Sequence, residues 1–262
     1  MTDGVRLTRR TALLTLAAAA GTTTAFCSQQ GGRPSLTFVL VHGAWHGGWC
    51  WKRLAPLLRA EGHQVYTPTL TGLGERRHLA GPQVNLSTHI QDIVEVLEFE
   101  DLRDVVLVGH SYAGFVIAGV ATQARTRLAH LLFLDAFLPE DGKRMMDYNP
   151  DIVQPQGDGW RLPLPFPLAV LGVSDPADVA WETSKITDQP FATFTEPLKL
   201  PADSFAGLKR SYLLATKGEP FEAAATRATA AGFKVSSMTD AGHMLMITRP
   251  RELATRLMEL AS

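Results

Sequence analysis

The chain has few cysteines, almost no net charge and no long apolar run. Two cysteines among 262 residues can form neither a disulfide scaffold nor a four-cysteine zinc site. A net charge of −1 excludes the basic field that general nucleic-acid binding needs. No uninterrupted apolar run reaches the roughly 18 residues of a membrane span. The composition, 45% hydrophobic and 19% charged, is that of a packed globular protein.

The first 33 residues have the order of an export signal followed by a linker. Arg6, Arg9 and Arg10 precede an apolar stretch over residues 12–20 and small polar residues at 21–25, which is the order of a secretory signal. The pair Arg9-Arg10 resembles the twin-arginine signal. We therefore predict a secreted or periplasmic protein. The alternative is a disordered N-terminal tail on a cytoplasmic protein.

From Pro34 onward, apolar strands alternate with amphipathic helices. The apolar patterns predict strands over residues 37–41, 64–67, 105–108, 131–134, 212–215 and 233–236. Ile90, Ile93 and Leu97 share one helix face, and we expect Ser87 to be the N-cap of that helix. The alternation predicts an α/β fold over residues 34–262, with a mostly parallel sheet covered by helices on both faces.

One stretch, residues 137–205, breaks this alternation and is rich in proline and aromatic residues. An excursion of this length is uncommon in a compact domain unless it has a function. We interpret it as a cap over a pocket and call it the cap segment. A surface insertion is the alternative.

The strongest chemical motif is Gly109-His-Ser111-Tyr-Ala113-Gly114, between an apolar strand and an amphipathic helix. A serine at such a turn is held in strained backbone geometry with its hydroxyl exposed above the sheet. The residues two before and two after it must be small, and Ala113 replaces the glycine that is usual at the second position. The motif predicts that Ser111 is a nucleophile.

Two further segments supply what a serine nucleophile requires. The loop His42-Gly43-Ala44 follows the first strand, so the backbone N–H groups of Ala44 and Tyr112 are the expected donors to an oxyanion. His243 follows the last strand and is the expected base, late in the chain as the order serine, acid, histidine requires.

The remaining histidines and carboxylates suggest neither a cofactor nor a metal. We expect His42 and His110 to be structural groups with hydrogen bonds, and His46 is a candidate for lining the pocket. No cluster of His, Cys or carboxylates has the spacing of metal ligands, and no phosphate-binding loop is present. The predicted partner is a small molecule.

Residues 37–258 resemble the α/β-hydrolase fold. The segments that carry the resemblance are 38–51, 69–75 and 109–112, which are similar to plant methyl-ester esterases, hydroxynitrile lyases and their bacterial relatives. The resemblance implies a serine carboxylesterase that hydrolyses a small hydrophobic or aromatic ester through an acyl-enzyme. The lyases have threonine and lysine where this chain has Gly43 and Met244, so ester hydrolysis is favoured. Lyase-like C–C cleavage and a catalytically weak ligand-binding homologue are the alternatives.

The acid of the triad is where the chain departs from the family pattern. The family usually has an aspartate just after the penultimate strand, but residues 216–220 contain none. Glu219 lies in this segment and is our favoured acid. Asp135, which ends the strand after the nucleophile's helix, is the rival. Asp240 is too close to His243 in sequence to be a good candidate.

Overall fold

The computed structural model describes residues 1–2, 35–148, 154–217 and 221–262, and Ser35–Ser262 form one compact unit. The predicted export signal falls almost entirely on residues 3–34, outside the described part of the chain. It therefore stays a prediction.

The main sheet has six strands, which in chain order are β1 (Thr37–Val41), β2 (Gln64–Tyr66), β3 (Val105–His110), β4 (Leu128–Leu134), β7 (Lys209–Ala215) and β8 (Lys234–Met238). All are parallel, and their order across the sheet is β2-β1-β3-β4-β7-β8. All six residues of β3 are buried, because layers above and below cover this central strand. The six predicted strands are all present.

Helices cover both faces of this sheet. They are α1 (Ala55–Ala60), α2 (Leu86–Phe99), α3 (Ala113–Ala124), α6 (Glu222–Ala230), α7 (Leu245–Thr248) and α8 (Pro250–Ala261). Along β1, Val39 packs in the core under α2 and α3, whereas Phe38 and Leu40 pack in the core under α1 and α8. The predicted fold class, a parallel α/β sheet between two helical layers, is confirmed.

The N-terminus of α2 differs from its prediction. The N-cap is Asn85 rather than Ser87: the Asn85 side chain accepts from Thr88 N–H at 2.9 Å, and Thr88 Oγ1 accepts from Asn85 N–H at 3.4 Å. This reciprocal capping box begins the helix two residues early. Ser87 instead donates through its N–H and hydroxyl to the Glu196 carboxylate, which a local pattern does not reveal.

The cap segment connects β4 to β7. It contains a small antiparallel pair, β5 (Arg161–Leu162) with β6 (Gln189–Pro190), the helices α4 (Pro176–Thr183) and α5 (Ala192–Thr195), and 3₁₀ turns at Met145–Tyr148 and Leu168–Leu171. Within the described ranges, no helix is long and apolar enough to cross a membrane.

The order of the strands indicates where a site forms. From β1 the chain crosses to β2 on one side and later to β3 on the other. A crevice forms outside the carboxyl ends of two strands whose connections diverge in this way. The loop 42–44 and Ser111 follow these two strands.

Candidate active site

Ser111 sits on a sharp turn between β3 and α3 with a backbone φ of 57°, a left-handed conformation that is uncommon outside glycine. The turn is crowded: a Cβ on Gly109 would lie 2.7 Å from the Ala113 carbonyl oxygen, and one on Gly114 would lie 1.9 Å from that of Phe137. The Ser111 carbonyl accepts from the N–H groups of Gly114 and Phe137, both at 3.1 Å. These contacts fix the backbone that presents the serine.

The loop after β1 lies directly against this serine. A Cβ on Gly43 would lie only 2.9 Å from Ser111 Cβ. Within the described residues, no protein acceptor takes a hydrogen bond from the amide of Ala44 or Tyr112. Tyr112 also stands at the N-terminus of α3, where unpaired N–H groups and the helix dipole favour negative charge. Both amides are therefore available to an oxyanion beside Ser111.

His243 is hydrogen-bonded to Asp135. Its Nδ1 donates to Asp135 Oδ2 at 2.6 Å, and the two side chains are 11% and 3% exposed. Asp135 follows β4, and its other carboxylate oxygen accepts from the Ala215 N–H of β7 at 2.9 Å. With the proton on Nδ1, His243 Nε2 is an acceptor. The pair has the arrangement of a histidine base held by an acid.

The other two candidate carboxylates are Glu219 and Asp240. Glu219 lies outside the described residues, so the preference for it as the acid stays a prediction. Asp240 is exposed. Its N–H donates to Thr216 Oγ1 at 3.0 Å, and its carbonyl accepts from Arg249 at 2.9 Å.

Two aromatic rings pack on His243. Phe221 stacks on it with a centroid distance of 5.0 Å and an interplanar angle of 11°, and His110 lies 4.3 Å away. His110 donates from Nε2 to the His243 carbonyl at 3.0 Å, and burial lowers its pKa well below the usual value. His110 therefore holds the histidine loop as a neutral group. The contact with Phe221 has no signal in the sequence.

His42 and His46 each bond through both ring nitrogens. His42 donates from Nδ1 to the Gly43 carbonyl at 2.8 Å and accepts at Nε2 from Leu70 N–H at 3.0 Å, and burial lowers its pKa to about 3. His46 Nδ1 donates to the Ala44 carbonyl, and its Nε2 lies 2.7 Å from Glu182 Oε1. Sequence reasoning did not find Glu182, which lies 136 positions away.

A small cavity joins these groups. It has a volume of about 180 Å³, below the range of drug-sized ligand pockets. The cavity is lined by the loop after β1, the turn at Ser111, the loop of His243, apolar residues of the cap segment, and Phe221 at the start of α6. The lining residues are Gly43, Ala44, Trp45, His46, His110, Ser111, Tyr112, Phe137, Met145, Phe166, Val170, Leu171, Phe194, Phe221, His243 and Met244. None of these is Asp, Glu, Lys or Arg. The cavity therefore suits a small uncharged ligand, because an unpaired charge is costly to bury.

A second cleft lacks these catalytic groups, and no metal site accompanies them in the described part of the chain. A wider, open cleft of about 870 Å³ beside α2, lined among others by Arg76, Asp92 and Phe99, contains neither Ser111 nor His243. In the described part of the chain, no group of three His, Cys, Asp or Glu side chains is arranged to hold a metal ion.

Known proteins share this fold. A model of the alpha/beta hydrolase family matches residues 38–256. A carbendazim hydrolyzing esterase from Nocardioides sp. (strain SG-4G) is 39% identical over 242 residues, covering 85% of this chain and 98% of that protein. An alpha-hydroxynitrile lyase from Arabidopsis thaliana is 26% identical, covering 86% of this chain and 96% of that protein.

Among solved structures, an extracellular α/β-hydrolase from a Paenibacillus species superposes with a TM-score of 0.72. It is 29% identical and covers 87% of this chain and 99% of its own. The resemblance inferred from residues 37–258 is thereby confirmed, because the family match spans almost the same range. This chain belongs to the alpha/beta hydrolase family.

Proposed function

We propose that the protein is a serine carboxylesterase that hydrolyses a small, uncharged, hydrophobic or aromatic ester. The observation that carries the proposal is the convergence of Ser111, His243 and the loop at Ala44 on one apolar cavity. The names of its esterase relatives support the reaction class.

In this mechanism, Ser111 Oγ attacks the ester carbonyl carbon and transfers its proton to His243 Nε2. Asp135 is the acid: it orients His243 through the hydrogen bond to Nδ1 and stabilises the imidazolium that forms. The N–H groups of Ala44 and Tyr112 bind the oxyanion. His243 then protonates the departing alcohol, and water hydrolyses the acyl-enzyme with His243 again as the base.

The lining of the cavity supports a neutral substrate. Phe137, Phe166, Phe194 and Phe221 present aromatic rings to it, which suit an apolar or aromatic group. We expect phenyl acetate to have a higher kcat/KM than 4-carboxyphenyl acetate, because the added carboxylate has no cationic partner there.

The experiment compares hydrolysis of phenyl acetate by the wild-type protein, Ser111→Ala and Ser237→Ala. Ser237 is exposed on β8 and serves as the matched control. We expect Ser111→Ala to abolish turnover and Ser237→Ala to keep it. A fluorophosphonate should label the wild-type protein at Ser111 only. Turnover retained by purified Ser111→Ala would refute the mechanism, and cyanide release from mandelonitrile without ester hydrolysis would indicate a lyase instead.

We also propose that the protein is exported. The order of charged, apolar and small residues in the first 33 positions supports this, and so does the extracellular relative from Paenibacillus.

A further inference from the structure

The loop that supplies one oxyanion donor contains a strained residue. Trp45, next to Ala44, is buried and has a φ of 63°. A bulky side chain in the left-handed region is a genuine outlier and persists only where its surroundings determine it.

The contacts that hold it come from the cap segment. Trp45 donates its N–H to Gln189 Oε1 at 3.0 Å, accepts at its carbonyl from Thr187 N–H at 3.1 Å, and donates its indole N–H to the Leu162 carbonyl at 2.8 Å. Gln189 is itself fully buried and fixed, because its amide donates to Thr193 Oγ1 at 2.8 Å. Its acceptor is therefore presented to Trp45 in one orientation.

A second cap residue acts through His46. The Ala44 carbonyl can only accept, so His46 Nδ1 must carry a proton to bond it at 2.7 Å. His46 Nε2 then meets Glu182 Oε1 at 2.7 Å with a single proton between them. Glu182 lies on α4 and is fully buried. Since both ring nitrogens are engaged, His46 has no free nitrogen with which to act on a substrate.

These bonds converge on one peptide group. The peptide that joins Ala44 to Trp45 is held at its oxygen by His46, and so by Glu182, and at its N–H by Gln189. Ala44 Cα is shared between this peptide plane and the one that carries the Ala44 N–H. Fixing the first plane therefore restricts the direction in which that oxyanion donor points.

We propose that Glu182 and Gln189 are positioning residues that set the Ala44 amide of the oxyanion hole, so that the cap segment is part of the catalytic apparatus as well as a cover for the cavity. The proposal rests on the proposed esterase function. It goes further by assigning catalytic consequences to two buried residues whose side chains bond to His46, Trp45 and Thr193 rather than to the nucleophile or its base.

The test measures kcat and KM for phenyl acetate in four full-length variants. Glu182→Leu removes the partner of His46, and Gln189→Met removes the acceptor for Trp45 N–H. Glu182→Gln keeps a hydrogen bond, because the glutamine NH₂ can donate to His46 Nε2 while Nδ1 keeps its proton for the Ala44 carbonyl. Asp178→Asn weakens only the ion pair of α4 with Arg53 and is the control for general loosening of this helix.

Complete removal of an oxyanion donor costs about 10²–10³ in kcat. We therefore expect kcat to fall about tenfold to a hundredfold in Glu182→Leu and Gln189→Met, with KM within about twofold of wild type, since a displaced donor keeps part of its effect. The kcat of Glu182→Gln should stay within about threefold of wild type. The kcat of Asp178→Asn should equal that of the wild type. The rate of fluorophosphonate labelling at Ser111 should fall in parallel with kcat.

Three results would overturn the proposal: a wild-type kcat in both disruptive variants, a rise in KM alone, or an equal loss in Glu182→Gln and Glu182→Leu. Thermal melting verifies that each variant is folded, and Gln189→Met remains informative if Glu182→Leu is not. A wild-type protein that hydrolyses no ester refutes the proposed function instead. In that case, unchanged labelling rates in the variants would still decide against the positioning role.

Discussion

Replacing Asp135 with asparagine tests the acid of the proposed triad. Asp135 accepts two hydrogen bonds, from His243 Nδ1 at 2.6 Å and from Ala215 N–H at 2.9 Å. In Asp135→Asn, the amide oxygen still accepts from Ala215, which leaves the amide NH₂ facing His243. Two donors cannot bond, so His243 must move its proton from Nδ1 to Nε2. That tautomer cannot accept the proton of Ser111.

The expected loss is large. In a serine protease triad, the same change of tautomer lowers kcat by about 10⁴, which corresponds to about 5.4 kcal/mol at 1.36 kcal/mol for each factor of ten. We expect a loss of this size for phenyl acetate at pH 7.5. KM should change little, because the buried carboxylate lies behind His243 and contacts no substrate.

Glu219→Gln is the matched control, since it neutralises the rival acid by the same conservative change. We expect its kcat to stay within about threefold of wild type, because His243 already has a carboxylate partner in Asp135. If Asp135→Asn retains more than a tenth of wild-type kcat while Glu219→Gln loses about 10³-fold or more, the acid is Glu219 and our assignment is wrong. Mild losses in both variants would reject both assignments.

Three further predictions concern the turn, the buried histidines and the export signal. Gly109→Ala should destabilise the fold by about 1–3 kcal/mol in chemical denaturation, since its Cβ would meet a carbonyl oxygen at 2.7 Å; a wild-type midpoint would contradict this. His42 and His89 have pKa values lowered by burial to about 3 and about 4, so they remain neutral in the folded protein while the unfolded chain binds protons below pH 6.5. The free energy of unfolding should therefore decrease as the pH is lowered below 6.5, by up to about 1.4 kcal/mol per pH unit for each histidine until its folded pKa is approached. Equal unfolding free energies at pH 6.5 and 5.5 would refute this. Substituting lysine for both Arg9 and Arg10 should abolish export in cell fractionation; unchanged export would exclude a twin-arginine route.

Most of the six strands could be predicted because they contain short apolar runs between polar loops. The turn that carries Ser111 was predictable from a local pattern too, since it needs small neighbours at fixed offsets. The prediction of Ser87 as the cap of α2 was wrong because serine and asparagine are both good caps and Asn85 lies two residues earlier. Only the actual hydrogen bonds distinguish them.

The carboxylate partner of His243 could not be identified from the sequence because the contact depends on the order of the strands. β4 and β7 are neighbours in the sheet although the whole cap segment separates them in the chain, and Asp135 after β4 hydrogen-bonds to His243 at this place. Strand order is a tertiary property, and no local pattern of residues 135 or 219 contains it. The pairing of Glu182 with His46 escaped prediction for the same reason.

The hydrogen bond between Asp135 and His243 also bears on how the chain folds. Its partners are 108 residues apart, and Asp135 is fixed by Ala215, which lies 80 residues away. Closing such long loops costs conformational entropy before the contacts compensate, so contacts of this kind form slowly. A refolding chain should therefore recover helical circular dichroism before it recovers esterase activity, because activity also requires this contact between Asp135 and His243.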